Sequence, residues 1–588
     1  MATSMDFWTR EPLPAIRREK LAGDRIVRCF AERPRSFFGL FARAVQTRPE
    51  HDALVCQGRR WTYSEADGEV TRVATGLAAL GFERGERIAM LVGNRPEFVF
   101  VLFAAQRLGL ITVPIGIREQ RPGLAYMMGQ CTARAIVFDA ELVERVPDAA
   151  EVPSLRWRIA IEAAEADSSG TTGDEPSIVK RASSTATGAA PKSADAPRDS
   201  ADVPSAKSRA DTTPTAVARD LSLSAVRAAG HATPAPIADV DEQDTAVILY
   251  TSGTTGKPKG ARLTHLNIAH SVLHFETCMR LVPDDRSALA VPASHVTGLI
   301  ATIASMAHLG AATIVLPEFK AAEFVALVER ERITHTLMVP AMYNLCLLVP
   351  DVDRRDLGSW RVGGYGGAPM PVSTIDALSA RLPGLVLINA YGATETTSPT
   401  TMMPSGLTRD HADTVGVALP CAEIVVMDDD GREVPPGQVG ELWIGGPMVV
   451  PGYWDNPDAT AASFTAGFWH SGDLGSIDAD GFVRIFDRKK DMLNRGGFKI
   501  YSVEVENALM AFPGVVEAAI VARPCPVLGE RVHAVVHAPS SMPDDDAIRA
   551  HCRRLLADYK VPETVTWSST PLPRNANGKV LKRLLRET

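Results

Sequence analysis

The sequence predicts a doubly wound α/β protein with a smaller second domain at its C-terminal end. Three observations predict it. Amphipathic helices alternate with short apolar strands from Phe37 to Phe138, the alternation resumes at Thr245 and runs to about Phe486, and the pattern changes after Lys489-Lys490-Asp491. A length of 588 residues also exceeds what one hydrophobic core usually organises, so more than one domain is expected.

Taken in order, Arg87 to Val92 reads as a strand, Glu97 to Leu108 as a helix and Ala135 to Phe138 as another strand. From Ala163 to Asp239 the chain turns to Ala, Ser, Thr, Pro and Asp without sustained periodicity, which predicts a disordered surface insertion that the core tolerates. The uncharged stretch Val296 to Pro317 is long enough to cross a bilayer, but Thr297, Gly298, Ser305 and His308 dilute it. Leu309-Gly310 then divides a helix-like part from the strand-like Ala312 to Leu316, so buried core and no membrane span is the expectation.

With 45% hydrophobic and 22% charged residues, the composition is that of a globular protein, and a net charge of −8 argues against nucleic acid as a partner. The eight cysteines are scattered, with no C-x-x-C pair, and read as reduced structural thiols. The N-terminal residues carry charges where a secretory signal needs an apolar run, so the cytoplasm is expected.

The apolar run Ala246 to Tyr250 fits a buried strand, and it feeds directly into Thr251, Ser252, Gly253, Thr254, Thr255, Gly256, Lys257, Pro258, Lys259 and Gly260. Glycines let backbone N–H groups close around an anion, hydroxyls add donors, and the two lysines supply charge for a triphosphate. The spacing is not that of the Walker loop. By its own physics the segment reads equally as a phosphate grip or a solvated polar turn.

These ten residues resemble, almost letter for letter, the signature loop of the adenylate-forming superfamily of acyl-CoA synthetases, adenylation domains and luciferases. Further motifs in the family's order extend the resemblance from about Phe37 over nearly the whole chain, the insertion apart. It implies a large N-terminal α/β domain, residues 1–487, of doubly wound sheets plus a distorted β-barrel, and a small mobile α+β domain, residues 488–588, carrying a catalytic lysine.

Gly366, Gly367, Ala368 and Pro369 resemble the turn that lies against adenine; an ordinary Gly-Pro turn is the plainer reading. Asn389, Ala390, Tyr391, Gly392, Ala393, Thr394 and Glu395 resemble the Tyr-Gly-x-Thr-Glu motif. By that likeness Tyr391 stacks on adenine, Thr394 meets the α-phosphate and Glu395 ligates Mg2+. Taken alone, Glu395 is also a first-turn helix acid favoured by the dipole.

Ser471-Gly472-Asp473 resembles the family's Thr-Gly-Asp, whose carboxylate accepts bonds from the ribose hydroxyls, with serine as a mild departure. Asp487 to Asp491 resembles the hinge segment, with Asp487 where the family usually has glycine. There Arg488 would hold ribose or phosphate and Lys490 would be the pivot; a basic surface patch is the competing reading. Asn494 to Lys499 resembles the glycine loop facing the pantetheine thiol, with Gly496 and Gly497 admitting the arm and Arg495 and Lys499 near CoA. Pro573 to Lys579 matches the closing motif, which makes Lys579 the catalytic lysine, although by composition it is one cation among Lys582, Arg583 and Arg586.

Ala293 to Gly298 lies where the family's acyl pocket begins. Amino-acid-activating relatives place an aspartate where His295 stands, so an amino acid is disfavoured, and His295 is either structural or a gate for the carboxylate. Tyr365 and Met338 to Ala341 are expected pocket walls, without separating fatty from aryl acids. The implied function is an ATP- and Mg2+-dependent acid:CoA ligase, with CoA as acceptor substrate and loading of an acyl carrier protein as the alternative.

Overall fold

The computed structural model describes residues 7–8, 13–21, 25–162, 218–230, 233–251, 257–539, 544–574 and 580–586. Two large sheets form the body. The first has seven strands in the spatial order Lys259–Thr264, Thr245–Thr251, Ile111–Pro114, Arg87–Leu91, Ala135–Asp139, Trp157–Ile161 and Arg219–Ser222, parallel except at the Lys259–Thr264 edge. The second has nine strands, with a parallel centre built from Asp52–Cys56, Ala312–Val315, Arg286–Leu289, His335–Met338, Val362–Tyr365 and Val386–Ala393 and antiparallel edges. Central strands such as Ala135–Asp139 are buried at every residue, as parallel sheets covered on both faces require.

Helix Pro96–Arg107 lies between the sheets and buries Phe98, Phe100 and Phe103, and Phe103 stacks on Phe41 at 4.7 Å between ring centres. The stretch Val296 to Pro317 is interior, as expected. It forms the π-helix Thr297–Ala304, the helix Ser305–Leu309 and the strand Ala312–Val315. No helix among the described residues is long and apolar enough to cross a membrane. All eight cysteines are free thiols and buried.

The expected insertion 163–239 is corrected at its C-terminal part. Arg219–Ser222 pairs in parallel with Trp157–Ile161 as the edge of the first sheet, Ser222 Oγ caps helix Leu223–Ala229 by accepting from Ala225 N–H, and Ala235 is buried. The helix buries only Leu223 and Val226, too little apolar signal for periodicity to register in an Ala- and Ser-rich run. Residues 163–217 and 231–232 lie outside the described residues.

A five-stranded antiparallel sheet, comprising Glu423–Met427, Gly440–Gly445, Phe464–Thr465, Phe468–Ile477 and Val483–Arg488, supplies the β-structure expected of the barrel. Beyond it Leu493–Arg495, Phe498–Ile500, Glu517–Cys525, Gly529–His537 and Thr564–Ser568 form a separate mixed sheet. Its own core joins Leu493, Ile500, Ile520 and Val532 to Val505 and Leu509 of helix Ser502–Met510.

At the N-terminal end the hairpin Ile16–Lys20/Ile26–Phe30 is tied to the body by Arg33, whose side chain is 1% exposed and reaches Glu19 at 2.7 Å and Glu242 at 2.6 Å. The Arg33 guanidinium, helped by Arg17, holds the Glu19 carboxyl down at about 2 against an ordinary 4.5. Because the folded value is the lower one, this stabilisation is present above the ordinary value and disappears as pH falls toward about 2. Thermal melting followed through that window is expected to show a loss of stability that Glu19→Gln removes; equal acid sensitivity of both proteins would contradict it.

Candidate active site

Strands Thr245–Thr251 and Lys259–Thr264 form a hairpin in which Thr251 pairs with Lys259, and the loop residues Ser252, Gly253, Thr254, Thr255 and Gly256 lie outside the described residues. At the loop's base the structure gathers four side chains. Thr251 Oγ1 donates to Glu395 Oε1 at 3.3 Å, Tyr453 OH donates to the same oxygen at 2.9 Å, and Lys259 Nζ sits 4.8 Å from the Tyr453 ring centre. Lys257 Nζ lies 5.5 Å from the ring of Tyr126. The Tyr453 phenol is pushed up by burial and by the Glu395 charge, so it stays a donor.

Glu395 is buried on a single 3-10 turn, Thr394–Thr396, so it serves no helix dipole. The turn is fixed by close backbone approach. A Cβ on Gly392 would come within 1.5 Å of the Ser398 carbonyl oxygen, and Thr397 and Ser398 take left-handed φ of 52° and 97°. Both side-chain bonds that Glu395 accepts fall on Oε1.

Four residues before Glu395, on the strand that leads into its turn, Tyr391 OH donates to Asp473 Oδ2 at 2.6 Å. Asp473 is buried and pairs in register with Arg488, whose Nε lies 2.6 Å from Asp473 Oδ1 and whose Nη1 donates to the Ser471 carbonyl at 3.2 Å. Burial pushes the Arg488 pKa down, but Asp473, Tyr391 and Glu395 outweigh it. Arg488 therefore belongs to a built corner and not to a loose basic patch. Charged hydrogen bonds of this kind contribute about 1.5–3 kcal/mol. Asp473→Asn is expected to raise KM for ATP by ~10- to 100-fold in steady-state kinetics; an unchanged KM would separate Asp473 from the nucleotide.

The segment Gly366, Gly367, Ala368, Pro369 follows strand Val362–Tyr365, beside Asn389 through the Tyr365/Asn389 register pair, and Gly367, Ala368 and Pro369 are exposed. Asn389 Nδ2 donates to the Thr414 carbonyl at 3.3 Å, so that side chain fastens the strand. Thr394 is half-buried beside Glu395, and Ala390 is half-buried on the strand.

His295 stands just before the π-helix. Its Nδ1 accepts from Thr297 N–H at 3.3 Å and lies 3.2 Å from Thr297 Oγ1; burial pulls its pKa down, so the ring is neutral with its proton on Nε2. None of its bonds reaches the Glu395 or Asp473 groups. Of the expected pocket walls, Met338 and Tyr365 are buried, while Val339 and Ala341 are exposed.

Past Arg488 the structure spreads the remaining residues out. Lys490 is exposed, while Lys489 pairs with Asp429 at 2.9 Å and Glu441 at 3.3 Å. Gly496 and Gly497, with φ of 59° and 91°, make the two-residue turn between Leu493–Arg495 and Phe498–Ile500, a sufficient structural reason for both glycines. Gly496 N–H donates to Leu528 at 2.7 Å and Lys499 is exposed, so this loop is bonded within the small sheet. Lys579 lies outside the described residues.

Two contributors were not legible in the sequence. Tyr453 comes from a loop that no spacing rule joins to Glu395. Asp487 is buried and accepts from the backbone N–H of Ser502 and from Ser502 Oγ at 3.0 Å, at the start of helix Ser502–Met510; Lys582 Nζ in turn donates to Ser502 Oγ at 2.6 Å. Its replacement of glycine was the only signal.

The model of the AMP-binding enzyme family matches residues 41–454, and that of the AMP-binding enzyme C-terminal domain matches 504–579. Feruloyl-CoA synthase of Amycolatopsis sp is 31% identical over 92% of this chain and 96% of its own length. The long-chain-fatty-acid–CoA ligase FadD13 of Mycobacterium tuberculosis is 30% identical over 90% and 93%. Among solved structures, ATP-bound MatB from Rhodopseudomonas palustris has a TM-score of 0.76 at 28% identity, covering 94% of this chain and 98% of that one.

Proposed function

The chain belongs to the AMP-binding enzymes, in the acyl-CoA synthetase branch of the adenylate-forming superfamily, and from that premise we propose that it activates a carboxylic acid with ATP and passes the acyl group to CoA. The observation that carries this reading is the convergence of Thr251 and Tyr453 on Glu395, with Lys259 against the Tyr453 ring, one strand end away from the Tyr391–Asp473–Arg488 corner.

Attack of a carboxylate on the α-phosphate joins two anions, so cations and donors must meet the developing charge. In this reading Lys257, Lys259 and the hydroxyls and N–H groups of Thr251 to Gly256 hold the phosphates in line. Gly367, Ala368, Pro369, Asn389, Ala390, Tyr391 and Gly392 border the adenine, while Asp473 and Arg488 hold the ribose. Thr394 meets the α-phosphate, and Lys579 bridges it to the carboxylate.

Mg2+ would supply charge neutralisation on the phosphates. Its one expected protein ligand, Glu395, fits as a buried carboxylate held by the Thr251 and Tyr453 hydroxyls, a hard oxygen donor for an ion that rides on substrate phosphates. Neutral His295 would then guard entry of the acid. In this reading the two domains divide between 487 and 488, Lys490 would be the pivot, and Gly496, Gly497 and Lys499 would face CoA in the second step. Eight free thiols agree with a cytoplasmic setting.

Pyrophosphate release measured with fatty, aryl and amino acids, with and without CoA, tests the reading. Acid-dependent release and CoA-dependent thioester are expected; release provoked by amino acids alone, or thioester formed only on a carrier protein, would overturn it.

A further inference from the structure

Three elements lead away from this site into the core. Helix His265–Met279 follows the phosphate hairpin, the π-helix Thr297–Ala304 begins two residues after His295, and strand Ser398–Met402 follows the turn of Glu395. They pack on one another pairwise. Each brings buried polar atoms that no protein group bonds: Ser271 Oγ and both ring nitrogens of His274 on the helix, Thr302 Oγ1 on the π-helix, Thr397 Oγ1 and Thr400 Oγ1 at and beyond the turn. All five side chains are 0% exposed.

This grouping is not how polar side chains behave in the rest of the described interior. The other buried polar atoms without a partner belong, Trp443 apart, to side chains that bond or ion-pair through another contact, as Gln106 does through Nε2 and His335 through Nδ1. Helical hydroxyls ordinarily satisfy themselves on a carbonyl one turn back, as Thr75 does on Thr71 and Ser305 on Ile300, whereas Thr302 does not. Valine would fill the threonine sites and phenylalanine the histidine site without leaving donors and acceptors unmet, so five such side chains on three elements that pack on one another call for a polar visitor. Burial keeps His274 neutral, and a neutral imidazole donates through one nitrogen and accepts through the other.

We propose that these five side chains form the far end of the acyl pocket, and that the acid carries a hydrogen-bonding group, a hydroxyl, ketone or ring N–H, at the end remote from its carboxylate. The inference rests on the ligase reading above. On that reading the carboxylate reacts beside the Glu395 turn and His295, next to which the π-helix and the strand begin, and an acid running along them with a plain alkyl terminus would leave the donors and acceptors unpaired.

The test compares kcat/KM for pyrophosphate release between matched acids: an arylpropanoate against its para-hydroxy analogue, and a straight-chain acid against its terminal hydroxy and keto analogues. Sites built to bond a substrate hydroxyl reject the analogue lacking it strongly, so a preference of at least ~100-fold for one functionalised member is expected. Thr302→Val and Thr400→Val should shrink that ratio and His274→Phe should reverse it. The ratio within each variant cancels any loss of folded enzyme. A wild-type preference for every plain acid overturns this inference and leaves the ligase reading standing, as does a preference that survives all three variants, which would mark the five as groups satisfied by buried water. No release from any acid, plain or functionalised, overturns the ligase reading and this inference with it.

Discussion

Glu395→Gln is expected to lower ATP–pyrophosphate exchange by ~100- to 1000-fold, the cost of one preorganised charge at a site where charge develops. The substitution keeps the shape that the Thr251 and Tyr453 hydroxyls grip and removes only the charge, which separates electrostatics from folding. Tyr453→Phe leaves the carboxylate in place and should cost far less. Exchange measured across a Mg2+ titration adds a second readout: the glutamine variant should need more metal if Glu395 is the ligand. Exchange within a few-fold of wild type at every Mg2+ level would remove Glu395 from the chemistry.

Lys579→Ala should abolish exchange by a similar ~100- to 1000-fold while leaving thioester formation from a synthetic acyl adenylate nearly intact. The neighbouring cations are poor substitutes because they are already engaged. Arg574 pairs with Glu517 at 2.6 Å, Lys582 with Glu506 at 2.7 Å and Arg586 with Asp491 at 3.0 Å. The segment holding Lys579 is anchored at its base, where Arg574 and Val580 form an antiparallel bridge and Leu581 N–H donates to the Pro573 carbonyl at 2.7 Å. Equal loss in both half-reactions would show that the lysine acts on folding or on both steps.

Much of the architecture was legible because parallel strands with both faces covered read as continuous apolar runs, as at Ala135–Asp139 and Ala246 to Leu249. The order of the motifs carried the nucleotide assignments, since neither Glu395 nor Asp473 is distinctive alone. What stayed hidden was contact between distant segments. Tyr453 reaches Glu395 across 58 positions, Tyr391 reaches Asp473 across 82, and the edge strand Arg219–Ser222 owes its conformation to a neighbouring strand and not to its own pattern. Propensity and periodicity are local, and these pairings are tertiary.

Asp487 is the next-to-last residue of strand Val483–Arg488 in the five-stranded sheet, whereas Ser502 and Lys582 stand beyond Lys490. A turn of the small domain about Lys490, as proposed, would therefore break the contact of a buried carboxylate with a helix start. Burial raises the pKa of that carboxyl even against the nearby Lys582 and the Ser502 bonds. On the ligase reading the proposed hinge crosses a buried hydrogen bond, which each turn of the small domain would have to break and re-form.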